Sequence, residues 1–203
     1  GWLAVGAPGD DDKGSSAGAV RVYQRQASGA WQLKQKLYAK TPGNYDNFGR
    51  SVGLSGNTLV VGAHSDDDRG FNAGAVYVFA LTGGVWAQSA KLFGSAVQGG
   101  QQFGRGVAVS GDRIAATAYY GTKLKNTADL YVFTRPPKGT WKQEAMLQDA
   151  TANPHDFSGR FLAMSGDRIV LDSPNADPKG YGSGKAIVFE RQPDGSYTQH
   201  VVV

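Results

Sequence analysis

The chain has no cysteine, so a disulfide scaffold, a thiolate zinc site and a cysteine nucleophile are all excluded. Its compartment is left open by the same absence. No window approaches the roughly 18 apolar residues a membrane helix needs; even Leu54 to Ala63 is broken by Ser55, Gly56 and Asn57. Gly1-Trp2-Leu3-Ala4-Val5 lacks the basic region, the apolar stretch and the small-residue cleavage site of a signal peptide. Only three histidines are present, His64, His155 and His200, and no Gly-x-Ser-x-Gly elbow leads into a helix. Stock for catalysis is thin. The net charge of +4 comes from 21 scattered Lys and Arg residues against 17 acids, with no basic run; that distribution argues against nucleic acid as a partner.

Glycine is the residue in excess, with 29 of 203 positions, about twice the ordinary share of ~7%, and it points to many tight turns. These turns recur at a fixed interval. Ser55-Gly56, Ser110-Gly111 and Ser165-Gly166 are spaced by 55 residues, and Trp31, Trp86, Trp141 and Tyr197 by 55, 55 and 56. Phe48-Gly49-Arg50 returns as Phe103-Gly104-Arg105, then as Phe157-Ser158-Gly159-Arg160 with one insertion. Gly6-Ala7-Pro8 returns as Gly62-Ala63-His64, and Ala17 to Tyr23 as Ala73 to Phe79. Internal repetition of this length marks an array of equivalent units, here about 1–47, 48–102, 103–156 and 157–203 of a single domain.

Each unit reads as four strands. Ser51 to Leu54 and Thr58 to Gly62 leave only Gly56-Asn57 between them, a two-residue hairpin turn whose residues tolerate positive φ. In Ala75 to Phe79 both parities are apolar, Val76 and Val78 against Tyr77 and Phe79, so this strand needs cover on both faces. In the fourth strand Trp31, Leu33 and Leu37 share one parity and Gln32, Lys34 and Lys36 the other, the pattern of an outer edge guarded by lysine. No stretch has a helical period. Four-stranded sheets repeated every ~55 residues find cover for both faces by packing around an axis as β-propeller blades; a β-solenoid has shorter repeats. The predicted fold is therefore all-β, a propeller of four-stranded antiparallel blades, with each Phe ring wedged between sheets and Gly49 and Gly104 allowing close backbone approach. The first unit starts at its second strand, and nothing at the C-terminus supplies the missing innermost one. That predicts either further blades in a larger ring or a second copy sharing the ring.

At Phe48-Gly49, Phe103-Gly104, Gly6-Ala7-Pro8 and the Ala-Gly-Ala-Val-Tyr-Val-Phe strands the chain resembles the FG-GAP repeat family, the blade type of the integrin α-subunit propeller and of bacterial and protist surface proteins. The resemblance implies an extracellular, cell-surface or periplasmic adhesion or binding platform without chemistry of its own. Integrin blades that bind calcium carry Asp-x-Asp-x-Asp-Gly between their first two strands, where this chain has Ser55-Gly56-Asn57, Ser110-Gly111-Asp112 and Ser165-Gly166-Asp167. Family calcium binding therefore does not carry over, since a two-residue turn cannot offer six to eight oxygens, and no cofactor is expected.

Asp10-Asp11-Asp12 and Asp66-Asp67-Asp68 occupy equivalent loops between the second and third strands. Two readings stand: carboxylates capping their own backbone with the surplus charge solvated, or part of a cation site. That loop differs in the third unit, Tyr119-Tyr120-Gly121-Thr122-Lys123, and in the fourth, around Tyr181. Varied loops on a rigid frame are where specificity resides. The candidate ligand face therefore contains His64, Asp66, Asp68, Tyr119, Tyr120 and Tyr181, with Tyr45 and His155 nearby, and suits a protein or glycan ligand, since rings stack on apolar faces and acids accept hydrogen bonds. No residue is assigned to catalysis or to metal. The alternative is the propeller of a carbohydrate-active lyase or hydrolase using paired carboxylates.

Overall fold

A computed structural model describes residues 1–120, 127–153, 156 and 158–202. Fifteen strands form four antiparallel sheets, and no helix occurs among the described residues. The first sheet holds β1 (Trp2–Ala7), β2 (Ala19–Arg25) and β3 (Trp31–Leu37), and the second holds β4 (Ser51–Ser55), β5 (Thr58–Ala63), β6 (Ala75–Thr82) and β7 (Val85–Leu92). The third holds β8 (Phe103–Ser110), β9 (Arg113–Ala118), β10 (Asp129–Thr134) and β11 (Lys142–Gln148); the fourth holds β12 (Leu162–Ser165), β13 (Arg168–Ser173), β14 (Lys185–Arg191) and β15 (Tyr197–Val202). Strands follow one another in space as they do in sequence, so each sheet is a simple meander.

Alternation in β5 and β6 decides how the sheets stack. Leu59, Val61, Tyr77 and Phe79 pack with Val20 and Val22 of the first sheet, while Val60, Val76 and Val78 pack with Val107, Ile114 and Tyr131 of the third. Leu130 and Val132 continue the pattern onto Ile169 and Ile187 of the fourth. The two apolar faces anticipated for β6 are thus each covered by a neighbouring blade; the innermost strands β4, β8 and β12 lie side by side at the centre, and β1, a second strand like β5, packs against β4 as β5 does against β8. This is propeller packing. Among the described residues the core clusters join consecutive blades only, so the ring is open between the first and fourth.

Phe48 and Phe103 are fully buried and make edge-on contacts with Tyr77 and Tyr131 of their own blades. The Phe-Gly step sits against the preceding blade: the Phe103 amide donates to the Ala73 carbonyl at 2.8 Å and the Phe48 amide to Ala17 at 3.1 Å. A methyl group at Gly62 would overlap the Gly104 carbonyl, and one at Gly6 the Gly49 carbonyl. The Phe-Gly and Gly-Ala motifs are therefore two halves of one inter-blade clasp, which explains their joint recurrence.

Two expectations about strand detail are corrected. In the inner hairpins only the glycine takes positive φ, Gly56 at 55°, Gly111 at 58° and Gly166 at 56°, while Asn57, Asp112 and Asp167 do not; glycine at the first turn position alone is the II′ geometry. In the outermost strands the simple alternation fails. Val22 pairs with Gln35 and Tyr23 with Leu33, leaving Lys34 as a bulge residue, and the same shift falls at Ser89 and Glu144. Beyond the bulge Leu37 is buried, while Trp31 and Leu33 on the other side of it are exposed.

Candidate functional site: an axial cup on the loop face

Each Phe-Gly step is followed directly by arginine and then by an innermost strand. Arg50, Arg105 and Arg160 therefore enter β4, β8 and β12 at the same level. Because these strands are neighbours at the centre, the three residues converge on a cavity of about 380 Å³, lined also by Ser51 and Phe161. It opens on the face where β5 ends and where the outermost strands return to the centre. Loops on this face are tied together: the Gly100 amide donates to the Phe71 carbonyl at 2.7 Å and the Tyr45 amide to Ser15 at 2.7 Å.

Arg50, Arg105 and Arg160 make no ion pair among the described residues. Arg105 lies over the Tyr119 ring at 4.4 Å and donates to Gln102 Oε1 at 2.6 Å, while its buried Nε has no hydrogen-bond partner. Burial holds the Arg105 guanidinium below its usual range, and Arg50 and Arg160 push the same way. His64, next to the end of β5, is drawn down to about 4, first by burial and then by Arg105 and Arg50. It is therefore neutral at physiological pH, with its Nδ1 buried and unpartnered. Tyr119 meets Tyr120 edge-on at 4.9 Å, and Arg160 stands over the exposed Phe161 ring at 5.7 Å. His64, Tyr119 and Tyr120, three of the residues proposed from the sequence for a ligand face, lie near Arg105.

The acidic loops serve another purpose. Lys91 on β7 bridges Asp66 at 2.6 Å and Asp68 at 2.5 Å, and the buried Asp66 also accepts the Tyr77 hydroxyl at 2.7 Å. In the first blade Lys36 bridges Asp10 at 2.6 Å and Asp12 at 2.5 Å. Middle members cap the loop, Asp11 accepting the Ser16 amide at 2.7 Å and Asp67 the Asn72 amide at 2.6 Å. Backbone capping is as anticipated, but the surplus charge is matched by lysine and not left to solvent. Asp66 points inward, away from any ligand on the surface. Tyr181 is fully exposed in the fourth blade's loop and does not line the cup. His200 sits on β15 beside Glu190, and His155 and 121–126 lie outside the described residues.

The arginines were absent from the sequence-derived site although their motif was read. The available signal was a cation at constant spacing immediately ahead of an innermost strand, which in a ring of equivalent blades places every copy at one level around the axis.

The family model described as FG-GAP repeat matches residues 31–79 and 86–133. Among solved structures, a protein from Lactobacillus plantarum is similar at 12% identity with a TM-score of 0.42; the match covers 100% of this chain and 66% of that one. The chain thus spans just under two thirds of that protein's length. A search of the curated proteins gives no match.

Proposed function

The chain carries FG-GAP repeats, and from that premise we propose that it is a non-enzymatic recognition module, working outside the cytoplasm at a cell surface or in the periplasm. Its propeller loop face would engage a protein or glycan ligand in adhesion. One observation carries the reading: a concave cup formed by the starts of three innermost strands opens on the loop face, where the loop sequences of the third and fourth units depart from those of the first two, while the clasp beneath repeats. Constant frame with variable rim is the arrangement of binding proteins. The cup lining presents arginine, serine and apolar groups and no carboxylate pair, so nothing in it favours the acid–base geometry of glycoside cleavage.

The test is binding of the immobilised chain to protein and glycan panels, with Tyr120→Ala and Phe71→Ala on the loop face and Asn57→Lys at an inner hairpin turn on the opposite face. Loss of binding with the first two and retention with the third supports the assignment. Equal binding by all three, or new reducing ends released from a polysaccharide, overturns it.

A further inference from the structure

Resting on the loop-face reading, we infer that the axial cup accepts an acidic sugar, a glycan unit bearing carboxylate or sulfate, with Arg50, Arg105 and Arg160 as its charge partners and Phe161 as its stacking plate. Three guanidinium groups line one cavity and no carboxylate lines it with them; the Asp172 carboxylate behind Phe161 is taken up by the Phe161 amide, which it accepts at 2.9 Å, and by the Arg160 amide. Cations that join parts of the frame are matched: Lys91 to Asp66 and Asp68, Lys185 to Asp149 and Asp156, Arg113 to Asp167. The frame does not need the Arg50 side chain, because its own part is a backbone one, the Arg50 amide donating to Gly62 at 3.2 Å. An oxyanion entering the cup would relieve the mutual repulsion and meet planar donors suited to bidentate contact.

Size and shape narrow the class further. About 380 Å³ falls within the roughly 300–1,000 Å³ of small-ligand sites and offers no extended basic stripe of the kind nucleic acid requires. Phe161 is 67% exposed beside Arg160, an apolar plate next to a charge, which fits a ring with an apolar face and an acidic substituent. His64 adds no fourth charge at neutral pH.

Calorimetric titration of the full chain tests this with an oligogalacturonate, a sulfated heparin-type oligosaccharide, a neutral gluco-oligosaccharide of equal length, sodium sulfate and single-stranded DNA. The acidic sugars should bind and weaken as salt rises. Arg50→Gln and Arg160→Gln, both at exposed positions, should each cost about tenfold or more in affinity, as charge-assisted hydrogen bonds do, with an unchanged melting midpoint. Phe161→Ser should weaken the sugars and leave sulfate unaffected, and Lys34→Gln on the outer strand should change nothing. Carboxylate and sulfate arms separate the two sources of charge. Occupancy should also raise the His64 titration, followed by NMR, from its free position. Equal affinity for the neutral sugar, stronger arginine-dependent binding of DNA, or acidic-sugar affinity indifferent to both arginines overturns the inference. In that last case a ligand still lost with Tyr120→Ala and Phe71→Ala leaves the loop-face reading standing, whereas no ligand on any panel removes both.

Discussion

Gln35 grips the main chain of Trp86 across the first blade boundary: its Nε2 donates to the Trp86 carbonyl at 3.2 Å and its Oε1 accepts the Trp86 amide at 2.7 Å. Related clamps follow around the ring, Gln88 on the Lys40 amide, Gln143 on Ser95 and Gln199 on Ala150, at 2.8–3.0 Å. Each uses backbone groups at an outer edge that no further strand pairs. Gln35→Ala deletes two such bonds at a half-buried site, a loss of about 1–3 kcal/mol. The thermal midpoint should fall by roughly 2–12 °C at about 2–4 °C per kcal/mol for a chain of this size. Scanning calorimetry checks it; an unchanged midpoint would show the clamps to be incidental.

The clasp makes a paired prediction from two glycines of similar backbone conformation. Gly49 has φ +91° and a methyl there would run into the Ala19 carbonyl, whereas Gly56 has φ +55° with open space around it. Gly56→Ala should cost only the left-handed penalty, about 1–2 kcal/mol. Gly49→Ala adds steric overlap with rigid backbone and should cost at least about 3 kcal/mol. Urea midpoints of the two variants give the comparison, and equal values would refute the clasp as the reason for the Phe-Gly motif.

Strand positions, two-sided burial of β6 and the wedged phenylalanines were legible because periodicity and turn residues report directly on backbone and burial. What the sequence could not report was partnership between blades. Trp31 and Trp86 are equivalent by spacing, yet Trp31 is 46% exposed and Trp86 only 2%. Trp86 rests edge-on against Trp2 of the preceding sheet, and Trp31 has no sheet ahead of it in this chain. The bulges at Lys34, Ser89 and Glu144 were invisible because no glycine or proline marks them. Lys91 lies far from the aspartates it bridges in sequence, so the acidic loops looked available when they were already occupied. Arg50, Arg105 and Arg160 became a site only once three strand starts were seen to share one axis.

Asp46 supplies a pH prediction. It is buried, accepts the Gly43 amide at 2.8 Å, and is pushed up to about 6 by burial first, with nearby Asp66 adding to the effect and the Gly43 bond opposing it. Its folded pKa exceeds the unfolded value near 3.9, so the folded chain holds the proton longer. Stability from this residue is complete below pH 4, declines as pH rises from about 4 to 6, and is level at its minimum above. Asp46→Asn keeps an acceptor for Gly43 and cannot ionise. The variant should be more stable than the parent above pH 6, with the difference vanishing toward pH 4 in urea melts. A difference constant across that range would contradict the assignment.

Lys91 and Asp66 test whether the acidic loop is a structural ion pair or an empty cation site. The ammonium lies 2.6 Å from Asp66 and 2.5 Å from Asp68, and over the Tyr77 ring at 4.9 Å. Asp66 has a side-chain exposure of 1%, so removing its cation strands a charge where water does not reach. Lys91→Met should therefore cost about 3–5 kcal/mol. Asp66→Asn in the Lys91→Met background removes the stranded charge while leaving an acceptor for Tyr77, and should restore a large part of that loss; such non-additivity is the signature of direct coupling. Calcium discriminates further. If the lysine is the resident cation, millimolar calcium leaves the parent's melting midpoint where it is and raises that of Lys91→Met, in which Asp66 and Asp68 have lost their partner. A midpoint that rises with calcium in the parent itself would mean that the metal displaces the lysine, and the ion pair would lose its structural standing.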